Sequence, residues 1–378
     1  MNVALLGLGN VGKAVFDILA KKEADIFKNH EINVKYVLVR NVENKNIDKS
    51  LLTTDFNQIV DDVDIDVVIE MMGAKVSYEY MKRALQAGKH VITANKEVIA
   101  SHYPELQAIA MAKKVKLLFE ASVGGGIPIV HTMLNSAPFN KITKIEGILN
   151  GTTNFILTSM HKEKIEFEEA LRLAQIKGFA EADPTADLEG LDMVRKIAIL
   201  SMICYNSTIN LDDIYHYGIK NVDKNIVEVI DLLDYKLKFI ASSSIDENGV
   251  NITVEPIVIK NTELLANVDY EYNLVRYYGE GCATQMMYGK GAGPVTANSI
   301  VFDLGLVLSD YRQKFMPANS YQCNGNKYVN AKYLIKSAEE LPDEIIEKNL
   351  GNVIITKNIS GEELNKLESI EFYARIID

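Results

Sequence analysis

The stretch GLGNVG, residues 7 to 12, constrains this chain more than any other. It follows NVALL, a short apolar run that reads as a buried strand. It opens VGKAVFDILAKK, in which Val11, Val15, Ile18 and Leu19 recur at helical spacing. A lone glycine triad is a weak signal, but one set between a strand and a helix points to a dinucleotide-binding turn. The reasons are steric and electrostatic. Gly7 permits the tight turn, Gly9 lets backbone approach a pyrophosphate, and Gly12 lets helix and strand pack closely. The helix start at Asn10 and Val11 faces the phosphates. The same glycines in an α/β fold without a ligand would be an ordinary turn.

The next strand, VKYVLV, runs to Arg40, where a fold preferring NAD usually carries an acid for the ribose hydroxyls. Arg40 and Asn41 instead suit a 2′-phosphate, so NADP(H) is expected over NAD(H). DVVIEMMG (66–73), a helix over about 77–87, HVIT (90–93), a further helix and KLLFE (116–120) continue the alternation. Such alternation predicts a parallel, doubly wound α/β sheet with ligand contacts just past the strand ends. Gly73, Thr93 and Lys96 of TANK, and the loop SVGGGIP (122–128) stand at those places.

The 378 residues suffice for two or three domains. A net charge of −11 with no basic cluster argues against nucleic-acid and membrane-surface partners. No basic n-region follows Met1, and no apolar run is long enough to span a bilayer. Cys204, Cys282 and Cys323 lie too far apart for a disulfide framework or a zinc site, so a reduced, cytoplasmic protein is expected.

The densest chemistry is EADPTADLEGLDMVRK (181–196), with Glu181, Asp183, Asp187, Glu189 and Asp192 ahead of the uncharged IAILSMICY. A helix is expected from about Leu191 to Tyr205. Asp192 and Lys196 then share a face, followed by Ile199, Leu200 and Ile203. Carboxylates raise a lysine's proton affinity and desolvation lowers it, so a lysine between the two suits proton transfer. The acids suit a substrate ammonium group as well. Equally, acids at a helix entry favour the macrodipole, and Lys196 would then make a surface pair. In GILNGTTNFIL (147–157), Asn150, Thr152, Thr153 and Asn154 are cap and turn formers that also suit a small polar substrate.

Taken in order, GLGNVG, TANK, EASVGGGIP, GILNGTTNFIL and GFAEADPTADLEGLDMVRKIAIL resemble the homoserine dehydrogenase family over roughly residues 1–310. The resemblance implies interconversion of L-homoserine and L-aspartate 4-semialdehyde with NAD(P), on the route to threonine, methionine and isoleucine. It implies Lys196 as the acid/base with Asp187 acting beside it. Glu181 and Asp192 would hold the substrate, with Thr152 of the polar knot as a further candidate contact, and Lys96 would lie near nicotinamide and substrate. It implies a site for Na+ or K+ on the Glu120 carboxylate and the carbonyls of Val123, Gly125 and Ile127. Such hard oxygen donors suit a monovalent cation. Gly293, in GKGAGPVTANSIVFDLG (289–305), would lie near the nicotinamide. The implied assembly is a homodimer or homotetramer.

The expected organisation is therefore a Rossmann domain over residues 1–130 and 297–318, with a catalytic α+β domain carrying an open mixed sheet over 131–296. In the latter, VNITVE (250–255) is a strand, and NLVRYY, GEG and CATQMMY form a hairpin. Residues 319–378 form a small α/β extension of unknown role. Its expected strands are KYLIKS, NVIITK and EFYARI, and its expected helices PDEIIEKN and GEELNKL. Three rivals remain at this level. Aldehyde oxidation needs an activated cysteine, and none of the three has the setting for one. A histidine-based 2-hydroxy-acid dehydrogenase would rest on His131, which reads as structural. A cofactor sensor without turnover would have no need for Lys196, Asp187, Asp192 and Glu181 together.

Overall fold

The computed structural model describes residues 1–23, 25–43, 45–309, 311–312, 315 and 317–377. Its contacts separate two compact units, Met1–Asn135 with Lys290–Ala318, and Ser136–Gly289 with Asn319–Asp378.

The first unit is built on β1 (Asn2–Leu6), β2 (Asn33–Leu38), β3 (Leu52–Thr53), β4 (Val67–Glu70), β5 (His90–Thr93) and β6 (Leu117–Leu118). They lie in the order β3-β2-β1-β4-β5-β6, all parallel. The order reverses between β1 and β4, the switch point where a doubly wound sheet opens a crevice. Val3 to Leu6 and Val67 to Ile69 are wholly buried. Burial on both faces explains why these strands read as continuous apolar runs rather than alternating ones. Helix Asn10–Lys21 sets Val15 and Leu19 against the sheet core, and helix Val295–Leu308 adds Ala297, Ile300 and Leu304. The helix expected from about residue 77 starts earlier, as Ala74–Gln86, immediately after Gly73.

The second unit centres on one large mixed sheet. Its first part comprises β7 (Ile142–Ile148), β8 (Tyr215–His216), β9 (Tyr235–Asp246), β10 (Gly249–Lys260), β11 (Tyr272–Gly279) and β12 (Ala283–Lys290). The C-terminal residues add β13 (Asn330–Ala331), β14 (Tyr333–Ser337), β15 (Ile346–Asn349), β16 (Ile354–Thr356), β17 (Ile359–Ser360) and β18 (Ile370–Ile377). The sheet order is β12-β11-β7-β9-β10-β18-β14-β16-β15, with β8 also on β10 and β13 paired separately to β17. The expected hairpin is thus the neighbouring pair β11 and β12. The helix expected from about Leu191 to Tyr205 is present with those bounds, and it packs on β9 and β10. At its start, Gly190 has room for no side chain: a Cβ there would lie 2.8 Å from both Phe239 Cζ and Val254 Cγ1.

Strands β14, β15, β16 and β18 of residues 319–377 continue this sheet, while β13 and β17 pair apart from it. β18 pairs parallel with β10, Ile257 to Ile259 against Arg375 to Ile377, and antiparallel with β14. Arg375 Nε donates to Glu255 Oε1 at 2.8 Å; Glu255 is buried and Arg375 largely so. Tyr217 stacks on Tyr373 with ring centroids 4.3 Å apart, and Tyr217 and Asn221 both donate to the Glu371 carbonyl. GEELNKL gives a short helix, Gly361–Leu364, entered through a Ser360/Glu363 capping box. PDEIIEKN departs from its expected helix: a single 3₁₀ turn at Asp343–Ile345 leads into strand β15. Pairing with β16 outweighs a weak helical preference there.

Removing one partner of a buried ion pair leaves the other uncompensated, at a cost of about 3–5 kcal/mol. Arg375→Ala should therefore lower the free energy of chemical unfolding by an amount in that range. Exchanging Arg375 and Glu255 together for apolar residues of similar size should restore most of the loss.

Candidate active site

In the first unit the glycine turn divides its labour by space. Gly7 sits at φ +99°, and a Cβ there would meet Met72 Cγ at 2.9 Å. A Cβ on Gly12 would lie 2.3 Å from the Gly7 carbonyl oxygen, so this glycine lets the helix approach the strand. A Cβ on Gly9 would meet nothing within 4 Å, because Gly9 borders a cleft. No side chain caps the helix that begins at Asn10, so its first amides are open to an anion. The cleft has a volume of about 970 Å³ and is lined by Gly7, Gly9, Arg40, Asn41 and Gly73 among others. Lys45 and Lys75 add positive charge to its wall, and Glu97 a negative one. These features fit a dinucleotide.

Glu70, which the sequence reading passed over, organises the strand ends below this cleft. It is fully buried, and its carboxylate accepts from the Met72 amide at 2.8 Å and from the Ser77 and Thr93 hydroxyls at 2.6 Å each. Burial pushes its pKa up, against the pull of these donors. Thr93 in turn accepts from the Asn95 amide, so its hydroxyl shapes the TANK turn. Lys96 follows as the first residue of helix Lys96–Lys113, which Asn95 caps by accepting from the Val98 amide. Gly293 takes φ +86° with open space beside it, just ahead of helix Val295–Leu308.

The loop after β6 is a compact knot of oxygens. The Glu120 carboxylate is fully buried and accepts from the amides of Val130 and His131 at 2.9 and 2.7 Å. Its own amide donates to Asp303, which also holds His131 Nε2 at 2.6 Å. Burial drives the Glu120 pKa up to about 7. Gly125 lies at φ +60°, where a Cβ would sit 2.2 Å from the Gly291 carbonyl oxygen. The Gly125 carbonyl accepts from Ser299 Oγ at 2.5 Å and the Ile127 carbonyl from the Ile129 amide at 2.8 Å. Val123 and Ile127 are buried beside them.

In the second unit the carboxylates and Lys196 converge on the corner where β7 meets helix Gly151–Glu163. Lys196 is 8% exposed. Its Nζ donates to the Leu149 carbonyl at 2.7 Å and lies 2.8 Å from Asp192 Oδ2. Asn150 caps the helix by accepting from the Thr153 amide, and its Nδ2 donates to Asp187 Oδ1 at 2.8 Å and Asp192 Oδ2 at 3.0 Å. Thus Lys196, Asp192, Asp187 and Asn150 form one connected group. Thr152 lies next to it, with its hydroxyl donated to the Phe179 carbonyl at 2.6 Å. Glu181 stands exposed in the turn ahead, and Glu189 pairs with Lys220. Only part of the acid cluster therefore joins the lysine.

The chain has known relatives. The family model described as homoserine dehydrogenase matches residues 128–304, and the model for its NAD binding domain matches residues 7–120. A homoserine dehydrogenase of Bacillus subtilis (strain 168) is 39% identical over 342 residues, 88% of this chain and 77% of that one. The chain belongs to the homoserine dehydrogenase family. Its function is that of the family: it is a homoserine dehydrogenase by activity, an oxidoreductase of amino-acid biosynthesis with an NAD-binding Rossmann domain. The structure of a homoserine dehydrogenase from Thiobacillus denitrificans matches at TM-score 0.91 and 31% identity, covering 100% of this chain and 98% of its own. That of Staphylococcus aureus homoserine dehydrogenase at pH 6.5 matches at TM-score 0.81 and 35% identity, with 100% and 99% covered. The likeness therefore runs through residues 319–378 as well.

The rival chemistries find no support in the geometry. Cys204 is buried in helix Leu191–Tyr205, and burial raises its thiol pKa, the reverse of activation. His131 is tied to Asp303 inside the first unit. Among the described residues, no helix is long and apolar enough to cross a membrane.

The different surroundings of two glycines give a direct test of the cleft. Gly9→Ala should leave the melting temperature unchanged while weakening cofactor binding in a fluorescence titration. Gly12→Ala should lower both, because overpacking typically costs about 1–3 kcal/mol.

Proposed function

We propose that Lys196 is the acid/base of a reversible reaction between L-homoserine and L-aspartate 4-semialdehyde. One observation carries this reading: a nearly buried ammonium held between the Asp192 carboxylate and the Leu149 carbonyl. Burial works against its charge and Asp192 works for it, which leaves a proton that can be given up and taken back. In oxidation Lys196, once its own proton has left, takes the proton of the substrate hydroxyl; in reduction its ammonium gives a proton to the carbonyl oxygen. Asp187 steadies the charge beside it, through the amide that links both acids. Asp192 and the exposed Glu181 receive the substrate ammonium, and Thr152 borders the same corner. The nicotinamide, when bound, supplies the hydride acceptor or donor. Lys96, at a strand's carboxyl end, serves the nicotinamide side together with Gly293.

Cofactor choice follows from the cleft wall. Arg40, Lys45 and Lys75 offer cations where an NAD fold offers an acid, so NADP(H) is the preferred partner over NAD(H). The Glu120 loop has the donor chemistry of a monovalent-cation site for Na+ or K+. Its carboxylate accepts from two backbone amides, with the His131 ring and the Asp303 carboxylate nearby, and Val123, Gly125 and Ile127 belong to the glycine-rich turn that follows it. Hard oxygens of this kind suit such an ion. A homodimer or homotetramer in the cytoplasm completes the reading.

Lys196→Ala should cut kcat for homoserine oxidation by roughly 10²–10⁴-fold while cofactor affinity stays unchanged. Near-normal turnover would remove Lys196 from the chemistry. Arg40→Ala should raise KM for NADP+ on the order of tenfold, the value of about 1.4 kcal/mol, and leave KM for NAD+ nearly constant. Equal effects on both cofactors would contradict the assignment.

A further inference from the structure

Asn150 combines two jobs that the sequence presents as one. As an N-cap, its Oδ1 accepts from the Thr153 amide at 2.9 Å and from the Thr153 hydroxyl at 3.1 Å. Those two donors fix the orientation of the amide, because the flipped form would aim an oxygen at two carboxylates. The Nδ2 group therefore points to Asp187 and Asp192 and spends both of its hydrogens on them. Asn150 is 5% exposed, and helix Gly151–Glu163 is held in place from below. Asn154, one turn on, donates to the carbonyls of Val268, Tyr270 and Tyr272. The neighbouring residue supplies the other restraint: the Leu149 carbonyl accepts from Lys196.

We propose that Asn150 is a positioning residue for the reaction: its amide clamps Asp187 and Asp192 together and thereby fixes where Asp192 holds Lys196. The inference rests on Lys196 being the acid/base. The argument is one of charge as much as of geometry. Two carboxylates brought to one group repel each other, and a neutral donor of two N–H groups relieves that repulsion without competing for the lysine's charge. A cation in its place would pair with the acids itself. Asp192 faces Lys196 from its own helix, and Asp187 meets the Asn150 amide from the helix Thr185–Leu188 before it. The strands packed behind that helix bring Phe239, Ala241 and Val254, which carry no charge.

Capping and clamping separate by substitution. Serine and aspartate cap a helix about as well as asparagine. Asn150→Ser keeps the cap and loses the clamp. Asn150→Asp keeps cap and shape but turns the donor into a third acid, which favours the protonated lysine. The experiment measures, for both variants and Lys196→Ala, the melting temperature, cofactor affinity and the pH profile of kcat/KM for homoserine oxidation. With melting temperature and cofactor affinity near wild type, Asn150→Ser should lose on the order of tenfold or more in kcat/KM, about 1.4 kcal/mol of transition-state stabilisation. The rising limb of the Asn150→Asp profile should move to higher pH by about one unit. Wild-type kcat/KM and profile in both variants would overturn the inference, as would a lowered melting temperature with an unmoved profile. If Lys196→Ala is inactive while both Asn150 variants behave as wild type, only the clamp fails. If Lys196→Ala remains active, the acid/base assignment itself fails.

Discussion

A buried ammonium is costly to hold, and much of the second unit is arranged to hold this one. Lys196 is taken out of water by the apolar turns of its own helix, then compensated by partners that include the Asp192 carboxylate and the Leu149 carbonyl. Each partner comes with its own support. Asp192 lies one turn earlier on the helix, so the spacing of the helix itself delivers it. The Leu149 carbonyl follows directly on β7, which is paired with β9 over Lys144 to Gly147 and with β11 on its other side. Gly190 allows the helix to start hard against Phe239 and Val254. The site is thus mounted on a helix and a strand end rather than on a mobile loop, which favours a fixed geometry for proton transfer.

The cofactor side uses a different economy, in which absence of side chains does the shaping. Gly7 and Gly12 are required by close packing inside the protein, whereas Gly9 leaves space beyond it. Glu70 and Thr93 tie neighbouring strand ends together beneath the cleft. The Glu120 knot joins the turn after β6 to helix Val295–Leu308 through Asp303, so the returning helix is integral to the first unit.

Much of this was legible in the sequence. The GLGNVG turn, the alternating strands and the helix from Leu191 to Tyr205 could all be read from periodicity and glycine placement, and the family from the middle motifs. Other features could not. Which of five acids reaches Lys196 depends on how the loop folds back onto β7, and local sequence carries no record of that contact. Asn150 reads as a cap because capping is local, while its second role depends on residues 37 and 42 positions away. Glu70 gave no signal of its own, since its donors Ser77 and Thr93 belong to separate elements. PDEIIEKN became a strand through pairing with β16, where tertiary context outweighs propensity. Residues 319–378 read as an appendage because β18 finds its partner β10 across more than a hundred residues.

The most direct test is a crystal structure of the enzyme with homoserine and an oxidised nicotinamide cofactor. The account predicts Lys196 Nζ within about 2.6–3.2 Å of the substrate hydroxyl oxygen, with Asp192 still beside it. A hydroxyl contacted by another group, with Lys196 still donating to Leu149 and out of reach, would contradict it.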